Sequence, residues 1–105
     1  MSPPTHVVWK QLEDQVKKKK IRSIGVSNAT APVLVDLLAG CEIRPAVNQI
    51  EVHPYLQQTD LINLHSRFNI FVEGYASICR GSNDAIGKAE KEYNVLTDPV
   101  VVAIA

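Results

Sequence analysis

Three short runs rich in β-branched residues recur along the chain, and a segment with helical periodicity precedes each of them. The runs are Ile21–Val26, Pro45–Val52 and Ile70–Ala76, and their length and composition predict β-strands. Equivalent aliphatic positions in successive runs lie 23 and 25 residues apart. Such an alternation predicts α/β architecture, with parallel strands joined by helical crossovers. The spacing alone suits either a closed barrel or an open, doubly wound sheet.

The segment before the first run predicts an amphipathic helix. Its apolar positions Val8, Leu12 and Val16 recur every four residues, and Thr5 is a candidate N-cap. The cations Lys17–Lys20 follow, where they complement the helix dipole. Because the charge of the whole chain is balanced, we interpret this lysine run as a solvated helix end rather than a binding patch.

Later segments predict three more helices. One follows Thr30 and ends near Gly40, a second has Thr59 as its candidate N-cap and stops at Asn69, and a third starts after Asp98. The apolar face of the first consists of Val33, Leu34, Leu37 and Leu38, and that of the second of Leu61, Leu64 and Phe68. The polar stretch before Asp98 predicts a loop with one or two helical turns within residues 85–93.

Composition excludes several functional classes. The chain has 105 residues with eleven basic and eleven acidic side chains, so it lacks the excess positive charge typical of nucleic-acid binding. Cys41 and Cys79 form no metal-binding or redox motif, which indicates reduced thiols. The start of the chain has no signal-peptide pattern, and no apolar run approaches membrane-spanning length. We therefore expect one soluble, cytoplasmic domain over residues 1–105, with no nucleic-acid or membrane partner.

Polar residues lie in or just after all three predicted strands. They are Ser27 and Asn28, Asn48 and Gln49 with His53, and Tyr75. Barrel enzymes build their active sites at the carboxyl ends of their strands, so this placement favours a barrel. No glycine-rich dinucleotide fingerprint or phosphate loop follows any strand, which leaves the open-sheet alternative without local support.

Three sequence strings, read together, resemble the aldo-keto reductases. They are Gly25–Asn28, Ala46–Tyr55 and Gly74–Ser77, and they occur in the family's order and at its spacing. The resemblance runs from about residue 9 to residue 76 and recurs near residues 98–99. It implies strands five, six and seven of a TIM (β/α)₈ barrel. The chain would then be a partial domain from the C-terminal half of the barrel, without the last strand.

The resemblance also implies a cofactor and the residues that bind it. In the family, NADP (NADPH) reduces an aldehyde or ketone, and the residues matching Ser27, Asn28 and Gln49 hydrogen-bond the nicotinamide carboxamide. The residue matching Tyr75 stacks on the nicotinamide ring. Hydroxyl and amide side chains suit a carboxamide, which both accepts and donates hydrogen bonds, and a phenol face suits a flat ring. Such contacts position the cofactor without performing the chemistry.

Each of these residues has a structural alternative on local sequence alone. Ser27 and Asn28 could form a turn into the next helix, Gln49 could be an outward polar residue of a half-buried strand, and Tyr75 could be a core aromatic. For His53, packing or hydrogen bonding is the better interpretation, because no second ligand at metal-site spacing accompanies it.

The chain departs from the family pattern in ways that affect function. The family's catalytic aspartate, tyrosine, lysine and histidine all precede strand five, so none maps here. Ala29 stands where an aromatic residue is usual, and Ala76–Ile78 replace a common Ser-Pro-Leu. Arg80 and Ser82 could meet the pyrophosphate, although their register is shifted. Two hypotheses follow: a truncated reductase that is inactive alone, or a non-catalytic half-barrel that binds a protein or self-associates through open sheet edges.

Overall fold

The computed structural model describes residues 3–79 and 94–105, and it contains the predicted alternation of helices and strands. The predictions for Arg80, Ser82 and residues 85–93 lie outside the described residues. The elements are α1 (Thr5–Lys17), β1 (Val26–Ser27), α2 (Ala31–Gly40), β2 (Val47–Glu51), α3 (Thr59–Phe68), β3 (Phe71–Tyr75) and α4 (Pro99–Ile104). The strands form one sheet in the order β1-β2-β3. The α/β class with parallel strands is thereby confirmed.

The chain divides into two compact units. The first comprises Met1–Ile50 with Gln58–Glu73, and the second comprises Glu51–Gln57 with Gly74–Ala105. The first unit therefore holds α1, β1, α2 and α3, while the second holds α4 and the turn that follows β2.

The core of the first unit forms where α1 and α2 pack over the start of the sheet. Trp9, Ile24 and Leu37 are its buried centre. Partly buried residues surround them: Leu12, Val16, Val26, Cys41 and Ile43. The predicted inner face of α1 was wrong in one respect, because Val8 is 39% exposed while Trp9 and Glu13 are buried. The inward stripe therefore begins at Trp9, one residue later than predicted.

Helix ends follow the sequence signals only in part. Thr5 and Thr59 are the first helical residues rather than caps, so these two cap predictions were wrong. Thr30 precedes α2 as predicted and stands at its N-cap position, where its side chain makes no capping hydrogen bond. Asn69, in contrast, ends α3 in the left-handed conformation with φ of 56°, as predicted. Asp98 is also confirmed as the N-cap of α4. The short side chains of asparagine and aspartate suit these two positions.

The lysine run behaves as a solvated helix end. Lys17–Lys20 are all exposed, and Lys17 forms an ion pair with Glu42 at 2.7 Å. The hydrogen bond to the Glu42 carboxylate raises the pKa of Lys17, and the ammonium group lowers the pKa of Glu42. Since both groups are in water, this pair adds little to stability.

The first strand is shorter than the predicted run Ile21–Val26 and ends one residue later, because only Val26 and Ser27 pair with β2. Val26 lies opposite Asn48 and Ser27 opposite Gln49, in parallel register. Just before this pair, a Cβ atom on Gly25 would lie 2.8 Å from the carbonyl oxygen of Val47. Glycine is therefore required for the close approach of the two chains that brings the ends of β1 and β2 together.

The second unit contains a tight turn and the short helix α4. His53 and Leu56 form an isolated antiparallel bridge, with reciprocal backbone hydrogen bonds of 3.1 and 2.8 Å. The Asp98 side chain accepts hydrogen bonds from the amides of Val100 and Val101 and so begins α4. Among the residues that the structure describes, no helix has the length and apolar character needed to cross a membrane.

Candidate functional site

The ends of β1 and β2 bring three of the four predicted site residues together in the first unit. The Ser27 hydroxyl donates a hydrogen bond to the backbone carbonyl oxygen of Gln49 at 3.1 Å. The backbone amide of Asn28 donates to the same oxygen at 2.9 Å. Asn28 has a φ of 54°, a left-handed conformation that asparagine tolerates better than most residues. Ser27, Asn28 and Gln49 thus form a compact turn at the strand ends.

The hydrogen bond of Ser27 determines what its side chain can offer a ligand. Its single proton is used by the Gln49 carbonyl, so the hydroxyl oxygen has only acceptor capacity left. Ser27 is exposed, which leaves that oxygen accessible. A ligand group that meets Ser27 should therefore be an N–H or O–H donor.

The Gln49 side chain lies on the opposite face of β2 from its buried neighbours. Asn48 and Ile50 are buried, whereas Gln49 is partly exposed, as expected from the alternation of side chains along a strand. Among the described residues the Gln49 carboxamide has no hydrogen-bond partner. It can therefore donate to and accept from a ligand, and a carboxamide ligand complements it in both respects.

Tyr75 belongs to the second unit, where it ends β3. Its side chain is partly buried, and its carbonyl oxygen accepts a hydrogen bond from the Val52 amide at 3.3 Å. Ala76, the next residue, has a φ of 52°, so the chain turns sharply after the tyrosine. The structure places Tyr75 at a strand end, as the sequence predicted.

His53, also in the second unit, is a packed side chain. Its ring meets the Tyr55 ring edge-on with centroids 6.4 Å apart, and its Nε2 lies 3.4 Å from a Glu51 carboxylate oxygen. Its Nδ1 is buried without a hydrogen-bond partner among the described residues. Within residues 3–79 and 94–105, no group of three histidine, cysteine or carboxylate side chains is arranged to hold a metal ion.

Sequence reasoning assigned no role to two buried polar residues that support the turn. Asn48 and His65 are both completely buried; Asn48 lies on β2 and His65 on α3. A sequence signal existed for His65, because it falls four residues after Leu61 and so lies on the predicted apolar face of α3. Asn48 was named only as a polar residue of the second predicted strand, and alternation alone does not say which strand face is buried.

Parallel strands with crossover helices, and polar side chains at the strand ends, are the arrangement found in part of a TIM barrel. The model of the aldo/keto reductase family matches residues 2–97. The chain belongs to that family.

Individual relatives agree with the family match. The chain is 51% identical over 69 residues to the NAD(P)H-dependent D-xylose reductase I,II of Candida tropicalis, an alignment that covers 66% of this chain and 21% of that protein. It superposes on the aldose reductase of Schistosoma japonicum with a TM-score of 0.83 and 28% identity, covering 100% of this chain and 30% of that one. A structure of a Gox0644 mutant in complex with NADPH gives a TM-score of 0.77 at 33% identity, covering 92% and 31%. The chain therefore spans about a fifth to a third of the length of these relatives.

Proposed function

We propose that this chain forms part of the nicotinamide pocket of an NADP(H)-dependent aldo-keto reductase. The observation that carries the proposal is the pairing of Ser27 with Gln49 at neighbouring strand ends. An acceptor oxygen on Ser27 and an uncommitted carboxamide on Gln49 are the groups that a nicotinamide carboxamide requires. The donor set present in the chain thus fits the cofactor.

The proposed work of these residues is binding and orientation. Ser27 accepts a hydrogen bond from the carboxamide N–H of the ligand. The Gln49 side chain donates a hydrogen bond to that carboxamide and accepts one from it. For Tyr75, in the second unit, the family resemblance alone supports the proposal that the flat face of its phenol ring offers contact area to a nicotinamide. When bound, the cofactor supplies the hydride for reduction of a carbonyl, while the residues named here fix the orientation of its ring.

We propose further that the complete reductase acts on aldehydes or ketones. Similar proteins support this, since the Candida relative is named an NAD(P)H-dependent D-xylose reductase and the Gox0644 structure is a complex with NADPH. The preference for NADP over NAD in this chain is part of the proposal. The catalytic aspartate, tyrosine, lysine and histidine of the family map to no position in residues 1–105, so we expect no turnover by this chain alone.

Titration of the purified 105-residue chain into NADPH, followed by nicotinamide fluorescence, tests the pocket. We expect saturable binding that Gln49→Leu weakens about tenfold or more, because its apolar side chain leaves the carboxamide unpaired. Asn63→Ala, an exposed change on α3, should bind as the unaltered chain does. Binding that is equal in all three proteins would refute the role of Gln49. The same samples, mixed with a simple aldehyde, should not oxidise NADPH; turnover would refute the expectation that this chain lacks the catalytic groups.

A second candidate function is self-association through the open edges of the sheet. Phe71 at the start of β3 is 74% exposed, which is unusual for a large apolar side chain on an edge strand. Sedimentation velocity distinguishes the candidates. A discrete dimer that Phe71→Lys converts to monomer, without any NADPH fluorescence change in either protein, would favour self-association over cofactor binding.

We also propose that the protein works in the cytoplasm. Cys41 and Cys79 are both free thiols, in keeping with a reducing compartment. Burial raises the pKa of each thiol above its ordinary value, so both remain protonated at neutral pH. Such thiols are weak nucleophiles and poor substrates for oxidation.

A further inference from the structure

A fully buried pair of polar side chains supports the turn at the end of β1. Asn48 and His65 are both inaccessible to solvent, and burial of polar groups is unfavourable unless each one is hydrogen-bonded. The Asn48 Oδ1 accepts from the Ala29 amide at 3.3 Å. The Asn48 Nδ2 donates to the Ala29 carbonyl at 2.9 Å and lies 2.8 Å from the His65 Nε2. Every hydrogen-bonding group of this amide side chain therefore has a partner.

These contacts permit only one orientation of the asparagine amide. Exchange of its oxygen and nitrogen would place two donors together at the Ala29 amide and two acceptors together at the Ala29 carbonyl. The nitrogen must therefore face His65, and because it can only donate, the His65 Nε2 must accept. The proton of the neutral imidazole is then on Nδ1, which donates to the Leu61 carbonyl oxygen. The tautomer of His65 follows from the network.

The network acts on the residue that follows the candidate pocket. Both backbone groups of Ala29 are bonded to the Asn48 side chain, while the preceding residues Ser27 and Asn28 are bonded to the Gln49 carbonyl. Asn28 between them is left-handed, and such a conformation persists only where the surroundings over-determine it. The orientation of the Asn48 amide therefore sets the backbone of the turn.

We propose that His65 and Asn48 are positioning residues for the nicotinamide pocket. His65, held as the Nδ1–H tautomer by Leu61, orients the Asn48 amide, and Asn48 fixes Ala29 so that the Ser27 and Asn28 side chains are preorganised for the carboxamide. This inference rests on the proposed function of the strand ends. It adds the requirement that a buried residue on α3, His65, orients the side chain that fixes the backbone of the pocket.

The network is tested by nitrogen NMR of the full 105-residue chain and of three variants. In the unaltered chain the His65 ring nitrogens should show a protonated Nδ1 and a bare Nε2. His65→Leu removes the acceptor and should shift the amide resonances of Asn28 and Ala29 and weaken NADPH binding about tenfold, the consequence of one buried donor left unpaired. His65→Gln offers an amide oxygen to Asn48, and it should restore affinity to within about threefold. The control is Ser66→Ala, an exposed neighbour on α3 whose hydroxyl bonds only within the helix; it should change neither readout.

The outcomes separate this proposal from the pocket itself. A protonated Nε2 in the unaltered chain would overturn the network without any ligand, and so would unshifted Asn28 and Ala29 resonances in His65→Leu. If His65→Leu does not fold, His65→Gln decides, since failure to keep the Asn28 and Ala29 resonances near their original positions contradicts the acceptor role. If the unaltered chain binds no NADPH, the proposed function fails, whereas the tautomer and the amide shifts still decide whether the network exists.

Discussion

Two carboxylates in this chain do similar local work in different surroundings. In the first unit a Glu13 oxygen accepts hydrogen bonds from the amides of Glu42 and Ile43, at 2.7 and 2.8 Å. In the second unit an Asp98 oxygen accepts from two successive amides at the start of α4, at 2.8 and 3.2 Å. The Glu13 side chain is buried and both of its bonds are partly buried, whereas Asp98 is only partly buried and its bond to Val100 is exposed.

The difference shows how burial determines the value of a hydrogen bond. When a surface carboxylate is lost, water replaces it as the acceptor, so the amides keep a partner. When a buried carboxylate is lost, its amides have no alternative partner and the full desolvation penalty appears. Each carboxylate accepts hydrogen bonds from two backbone amides. We nevertheless expect loss of Glu13 to lower the stability of the chain much more than loss of Asp98.

Glu13→Ala should cause the largest loss of stability. Two partly buried hydrogen bonds to the connection between α2 and β2 lose their buried acceptor, so the free energy of unfolding should fall by about 2 to 3 kcal/mol. Urea denaturation of the 105-residue chain, followed by circular dichroism, measures this. The matched control is Asp14→Ala, the exposed neighbour on α1, which should change the free energy of unfolding by less than about 0.5 kcal/mol. Equal effects at the two positions would contradict the comparison.

A smaller effect is expected from Trp9→Phe, which weakens the same connection one helical turn earlier. The indole Nε1 donates to the Ile43 carbonyl oxygen at 2.9 Å, and phenylalanine keeps most of the apolar packing but no donor. The free energy of unfolding should fall by about 1 to 2 kcal/mol. The loss of unfolding free energy should exceed that for Val8→Ala, since Val8 is exposed on the same helix; a loss no greater than this control would show that the indole hydrogen bond contributes nothing.

The sequence predicted the order of elements well because hydrophobic periodicity reports burial directly. All three strands and all four described helices were anticipated, with strand ends shifted by one or more residues. The most serious error concerned β1, which pairs only at Val26 and Ser27. Its earlier residues look like a strand because they are β-branched, but pairing also depends on a neighbouring chain, which local composition does not reveal.

Polar residues inside the fold were harder to predict than apolar ones. Glu13 falls between Leu12 and Val16 on α1 and was not singled out, because acidic side chains are almost always exposed. The position of Trp9 four residues earlier could have placed Glu13 on the buried stripe. The proposed pocket residues Ser27, Asn28 and Gln49 were named from a family resemblance, since no periodicity distinguishes a ligand-binding amide from a solvated one.

The smallest effect concerns the charge state of Asp98 in the second unit. Its pKa lies below the ordinary value, first because the Tyr55 hydroxyl donates to it at 2.6 Å and then because the amide of Val101 does. A carboxyl whose pKa is lowered by folding contributes stability above its unfolded pKa, near 3.8, and loses that contribution as the pH falls through the lower folded pKa.

Tyr55→Phe isolates the contribution of the phenol. Carbon NMR of the Asp98 carboxyl during acid titration should give a higher pKa in this variant than in the unaltered chain, yet still below the ordinary value because the Val100 and Val101 amides remain. At neutral pH the free energy of unfolding should be almost unchanged, since water can replace the hydroxyl at this exposed site. An unaltered pKa would show that the tyrosine does not stabilise the carboxylate. A loss of unfolding free energy as large as that of Glu13→Ala would show that exposure to water does not reduce the contribution of such hydrogen bonds to stability.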